Sequence, residues 1–185
     1  MNASRWLLLS IVALAPMMAH AATPSRTRRA EIQRALSAAP PAIAARATVQ
    51  ERGAHGQWIV LRQGDNGWTC IPRSTGDPDP LPACFNANGL AFIQTFADTR
   101  SPDSKKPGLS YMLRGGSAWS NVDPGASRLP AGRKDYIHIP PHIMILDSKV
   151  ANESGLPLHQ ADPNTRLPFV MFGGTEHAIL IIPVK

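Results

Sequence analysis

The sequence predicts an α+β fold: one domain, with an antiparallel or mixed sheet and N-terminal and central helices packed on it. Three observations carry this expectation. The run from Leu167 to Val184 sets two apolar stretches on either side of Gly173-Gly174, which is the pattern of a hairpin. Its second stretch is continuously apolar from Ala178 to Ile182, as expected for a strand covered on both faces inside a sheet. Stretches of helical period, over 28–46 and 88–98, stand apart from the strand-like stretches instead of alternating with them, which disfavours repeated βαβ units. The chain of 185 residues suffices for one domain with a real core, and it shows no internal repeat and no dividing linker.

The first 21 residues have the pattern of a secretory signal. Arg5 supplies a positive start, Trp6 to Ala15 a short apolar stretch, and Ala19-His20-Ala21 a small-residue cleavage site. The apolar stretch is too short for a membrane span. A polar, disordered start over 22–27 and a single domain over 28–185 are expected to follow. This places the protein in the periplasm or outside the cell.

The formal net charge of +6 is unevenly spread. Between residues 22 and 52, Arg26, Arg28, Arg29, Arg34, Arg46 and Arg52 face only Glu31 and Glu51. A solvated helix face accounts for such a run, and contact with an anionic membrane is the functional alternative. No aromatic residues are interleaved with these arginines, so nucleic acid is not an expected partner.

Arg28 to Ala39 reads as a helix, with Ile32 and Leu36 on one side and Ser25 or Thr27 as its cap. Pro40-Pro41 ends it and opens a short second helix through Arg46. Thr48 to Arg52 reads as a strand. Gln57 to Gln63 and Gly67 to Pro72 read as a hairpin turning at Asp65-Asn66-Gly67. Cys70 and Cys84 are the two cysteines of the chain, and in an exported protein they are expected to form one disulfide. The segment between them carries Pro72, Pro78, Pro80 and Pro82 and is expected to hold little regular structure.

Asn86 or Asn88 can cap the next helix, whose apolar face contains Leu90, Phe92, Ile93 and Phe96. Leu109 to Leu113 reads as a strand stopped by Gly115-Gly116. Residues 114–134 read as a long irregular segment. Tyr136 to Leu146 holds two strand-like pieces broken by Pro140-Pro141, and His142, Met144 and Leu146 share a face. Asp147 or Ser148 then caps a short helix ending at Gly155.

Several of these motifs together resemble a family of exported bacterial proteins. They are Gly67-Trp68-Thr69-Cys70 with Cys84, Tyr111-Met112-Leu113-Arg114-Gly115-Gly116, Ser120-Asn121-Val122-Asp123-Pro124, Pro141-His142-Ile143-Met144-Ile145, and His177-Ala178 with Ile182-Pro183-Val184. The resemblance spans roughly residues 30–185. It implies export and a single domain, and it implies no activity, ligand or cofactor.

The residues that could carry chemistry are few. His142 and His177 each precede an apolar strand, and with Asp123 they offer two imidazoles and a carboxylate, a set suited to Zn²⁺ or a similar ion. A histidine hydrogen-bonded to backbone at a strand end is the plainer reading. Asn121, Trp68 and Tyr111 join His142, His177 and Asp123 as candidate binding residues, because amphipathic side chains near glycine turns can line a groove. Gly115-Gly116-Ser117-Ala118-Trp119 is not a nucleophile elbow, and no phosphate-binding glycine loop occurs. The expectation is therefore a non-enzymatic envelope protein that binds a small molecule or another envelope protein. The alternatives are a metal-dependent enzyme using His142 and His177, and attachment to an anionic surface through residues 22–52.

Overall fold

Short apolar strands separated by prolines and glycines leave the chain free to assemble its sheet out of sequence order. The structure, a computed structural model, describes residues 25–98, 101–102 and 106–184. Among them the order is α1 (Arg26–Leu36), α2 (Pro41–Ala44), β1 (Thr48–Arg52), β2 (Trp58–Arg62), β3 (Trp68–Ile71), β4 (Ala83–Asn86), α3 (Ala87–Asp98), β5 (Gly108–Met112), β6 (Gly116–Ala118), β7 (Ile137–Ile139), β8 (His142–Leu146), α4 (Ser148–Asn152), β9 (Phe169–Met171) and β10 (Ile179–Pro183). Eight strands form one sheet in the order β2-β1-β3-β4-β5-β8-β10-β9, and β6 pairs with β7 separately. Neighbours run antiparallel except β1 and β3, so the fold is α+β with a mixed sheet. The signal segment expected over 1–21 lies outside the described residues.

The first helix starts earlier than its periodicity suggests. The Ser25 side chain accepts a hydrogen bond from the Arg28 amide, and the helix runs from Arg26, so the disordered start does not reach residue 27. Ala35, Ala38 and Ala39 then pack against Val49, Leu61, Cys70 and Cys84. Small side chains let α1 lie close to the sheet. Ile71, Ala83 and Phe85, which alternate with the two cysteines, belong to the cluster containing Phe92 of α3. Alternation therefore places α1 and α3 on opposite faces.

The expected hairpin of β2 with β3 does not form, because β1 lies between them. β2 pairs with β1 through the turn at Gly53–Gln57, where the Gly53 amide donates to the Gln57 carbonyl. The chain then passes across the start of β1. The Asp65 amide donates to the Arg46 carbonyl, Asn66 Nδ2 donates to the Ile43 carbonyl, and Arg46 pairs with Asp65. Gly64 makes this crossing possible: a Cβ there would lie 2.3 Å from the Arg46 oxygen. The Asn66-Gly67 turn is real, with Gly67 at φ +75°, but it delivers β3 to the far side of β1.

Two further segments differ from expectation. Residues 83–86, next to the proline-rich loop, form β4, which pairs with β3 so that Cys70 sits opposite Cys84 in a disulfide. Within the long segment after Arg114, Gly116–Ala118 pairs with Ile137–Ile139 as β6 and β7. The C-terminal hairpin is present, and β10 lies inside the sheet between β8 and β9. Capped by Asp147, α4 packs over Val170 and Leu180, on the face opposite Ile179 and Ile181.

Candidate ligand-binding site

On the α3 face the side chains do not fill the space above the sheet. A cavity of about 720 Å³ remains. Its floor is apolar sheet surface, including Phe85, Met112, Met144 and Ile181, and one wall is α3 through Leu90, Ile93 and Phe96. Three loops form its rim: the β1–β2 turn from Arg52 to Trp58, the β3–β4 loop at Ser74–Asp77, and the segment Trp119–Ser127 after β6.

Each rim loop is tied down by an identifiable contact. Arg52 lies over the Trp58 ring at 4.7 Å and bonds to the Gly56 carbonyl. The proline-rich loop is held from both faces. From the α1 side, Arg34 donates to the Pro72 and Pro80 carbonyls at 2.8 and 2.9 Å. From the cavity side, Ser117 Oγ exchanges hydrogen bonds with the backbone of Asp79, and Trp119 Nε1 donates to the Gly76 carbonyl. The Cys70–Cys84 bond closes the loop at its base.

Of the titratable groups that border this space, two have pKa values displaced by burial. His142 is 1 % exposed. Its Nδ1 lies 2.7 Å from the Pro140 carbonyl oxygen, and no described group reaches its Nε2. Burial lowers the pKa of the ring from 6.5 to about 4, only partly offset by the Pro140 carbonyl, so the imidazole is uncharged at neutral pH. Gly116 packs against it; a Cβ at that position would lie 3.0 Å from Cε1 of the ring. Asp77, from the proline-rich loop, is the second group. Burial raises its carboxyl to about 6, and the Ser74 side chain works against that rise.

The remaining candidates divide by location. Asp123 is on the exposed rim, where its Oδ1 accepts from the Gly125 amide. His177 stands outside the cavity lining, between Phe92 and Phe96, with Nε2 3.3 Å from Thr95 Oγ1. β8 and β10 are direct antiparallel neighbours and His142 pairs with Pro183, so the strand Ile179–Pro183 separates the two histidines by about 13 Å at least. The proposed trio of His142, His177 and Asp123 does not assemble. Among the described residues there is no group of three His, Cys, Asp or Glu side chains able to hold a metal ion. Trp68 and Tyr111 pack with tilted rings, centroids 5.5 Å apart, on the opposite face of the sheet, against the α1 cluster. Asn121 is fully buried and structural: its Nδ2 donates to the Gln160 and Val170 carbonyls, and its backbone carbonyl accepts from the Phe172 amide, while no described group donates to Oδ1.

Of the residues singled out from sequence, His142 and Asp123 border the cavity, whereas Asp77, Gly116 and the methionines Met112, Met144 and Met171 were not singled out as site residues. Alternation through His142, Met144 and Leu146 was the signal available for the floor. Nothing local distinguishes Asp77 from any loop aspartate. Phe172 also escaped notice. It lines the cavity with φ +57°, a left-handed conformation that is costly for a bulky residue, and its ring packs at a tilt against Phe96, centroids 5.8 Å apart. With a neutral imidazole, two carboxyl groups on its rim and much apolar surface, the site is equipped to hold a molecule. No family model, curated protein or solved structure matches the chain.

Proposed function

We propose that this is an exported envelope protein that binds a small, largely apolar molecule in the cavity beneath α3 and does not transform it. The observation that carries this reading is the cavity itself. About 720 Å³ lies within the range of sites for drug-sized ligands, and apolar walls with a few placed polar groups are the usual composition of such sites. Export is supported by the N-terminal pattern of Arg5, Trp6 to Ala15 and Ala19-His20-Ala21, by the paired cysteines, and by the resemblance to exported bacterial proteins. The compartment is then the periplasm or the exterior.

The two alternatives draw less support. A metal-dependent reaction through His142 and His177 would need side chains that lie at opposite ends of β10. Attachment through the basic arm would need free guanidinium groups. Arg28 instead bonds to the Val60 and Leu61 carbonyls, Arg34 to those of Pro72 and Pro80, and Arg46 to Asp65, while Arg26 and Arg29 project from α1.

Trp58 and Trp119 border the cavity, so tryptophan emission should report its occupancy. Titration with an environment-sensitive apolar dye is expected to show saturable binding and a change in tryptophan emission. Met144→Trp, which places a large ring on the floor, should abolish binding while circular dichroism stays unchanged. Saturable dye binding that persists in a folded Met144→Trp protein would place the site elsewhere.

A further inference from the structure

We infer that the ligand carries a neutral hydrogen-bond donor, a hydroxyl group on an apolar body, and presents it to Nε2 of His142. The inference rests on the binding reading above and adds the chemistry of the ligand's polar end.

Nδ1 of His142 faces the Pro140 carbonyl oxygen. A carbonyl oxygen only accepts, so the 2.7 Å contact requires the proton to be on Nδ1 of His142. In a neutral ring the other nitrogen then carries a bare lone pair. Burial keeps the ring neutral at physiological pH. Nε2 is therefore an acceptor; among the described residues nothing donates to it, and its surface is covered, so a ligand group reaches it by displacing a flexible neighbour such as Met112, whose side-chain end lies beside Gly116 as the ring does.

The ring is also fixed in place. The Nδ1 bond anchors one edge, Gly116 packs on another, and Met112 lies opposite His142 in the sheet register. Turning the ring to expose Nδ1 would break the Pro140 bond. An acceptor held this way in an apolar wall is costly to the fold unless a donor meets it.

The surroundings select the kind of donor. Met112 and Gly116 flank the ring and supply no countercharge, and the Asp77 and Asp123 carboxyls belong to the rim loops, so an ammonium group at Nε2 would be buried without a charged partner beside it. A carboxylate or phosphate would set negative oxygens against the lone pair. An alcohol or phenol avoids both costs, and the cavity beyond His142 receives its hydrocarbon part.

The test uses the full chain and three probes of matched length: octanol, heptyl methyl ether and octanoate. At pH 7 octanol is expected to bind roughly three- to tenfold more tightly than the ether, the worth of one hydrogen bond, and octanoate more weakly than both. In His142→Phe, octanol and ether should bind alike. Imidazole nitrogen NMR on the wild-type protein gives a readout independent of that variant's folding. It should show the Nδ1–H tautomer, with the Nε2 resonance moving on addition of octanol and not of the ether. Equal affinity of the wild-type protein for octanol and ether would overturn the inference while leaving the apolar cavity reading intact. An Nε2–H tautomer would also overturn it. Failure of all three probes to bind would remove the reading on which it rests.

Discussion

His142 and Asp77 should pull stability in opposite directions as pH falls, and their effects should largely hide each other in the wild-type protein. Above pH 6.5 His142 is neutral whether folded or unfolded. As pH drops from 6.5 toward 4, the unfolded chain takes up a proton that the folded chain refuses, and stability is lost. At about 1.4 kcal/mol per pH unit, the full loss is about 3 kcal/mol. Asp77 behaves in reverse. Above pH 6 it is ionised in both states, and the folded protein bears the cost of a buried charge. Between pH 6 and 3.8 the folded chain protonates first, and stability is regained. Asp77 keeps part of its surface in water, and screening brings its contribution nearer to about 2 kcal/mol. Guanidinium chloride unfolding, followed by tryptophan emission between pH 7 and pH 4, separates the two. Asp77→Asn should be more stable than wild type at pH 7 by about 2 kcal/mol and should then lose about 3 kcal/mol on acidification. His142→Phe should gain stability over the same range. Glu31 and Asp65, whose carboxyls are held low by Arg73 and Arg46, contribute equally to all three proteins and cancel in the comparison. Parallel profiles for wild type and both variants would refute the burial argument for both groups.

Asn121→Ala should cost about 2 to 3 kcal/mol in a urea titration, because it leaves the Gln160 and Val170 carbonyls without their donor; a loss below about 0.5 kcal/mol would contradict that role. Gly173→Ala should lower the melting temperature more than Gly132→Ala. A Cβ at Gly173 would meet the Leu158 carbonyl oxygen at 2.2 Å, whereas at Gly132 only the positive φ of +82° opposes it. Arg34→Ala should leave the fold intact and make residues 73–82 more sensitive to limited proteolysis, since Arg34 holds the carbonyls at both ends of that loop. Unchanged cleavage rates would mean the disulfide and the Ser117 contacts suffice.

What could be read from sequence was what depends on near neighbours in the chain. Ser25, Asn86 and Asp147 cap helices because a side-chain oxygen and an amide three residues on are brought together by local geometry alone. The apolar alternation from His142 to Leu146 gave the buried face of β8 for the same reason. Pairing across long separations was not legible. Thr48 to Arg52 carries no mark that it will separate β2 from β3, and the turn at Asn66-Gly67 suits a hairpin equally well. β4 was hidden by the prolines before it and by its own shortness. The cavity was least accessible of all. Its floor and rim come from strands β1 to β10 and three loops, and a space between side chains has no sequence pattern of its own. His142 was singled out as a polar residue on an apolar strand, yet the pairing of β8 with β10 was needed to part it from His177.

The burial of the Cys70–Cys84 bond has a kinetic consequence. Both sulfurs are withdrawn from solvent, and Cys84 Sγ lies 3.7 Å from the Ala35 carbonyl of α1. Thiol–disulfide exchange needs an attacking thiolate to approach a sulfur along the bond. With α1 docked that approach is blocked, so a reductant must wait for the helix to lift. At high reductant concentration the rate of reduction should level off at the rate at which α1 opens, making the bond a clock for a motion that leaves the rest of the sheet undisturbed. The same geometry orders events during assembly: the β3–β4 pair must meet its oxidant before α1 settles over it.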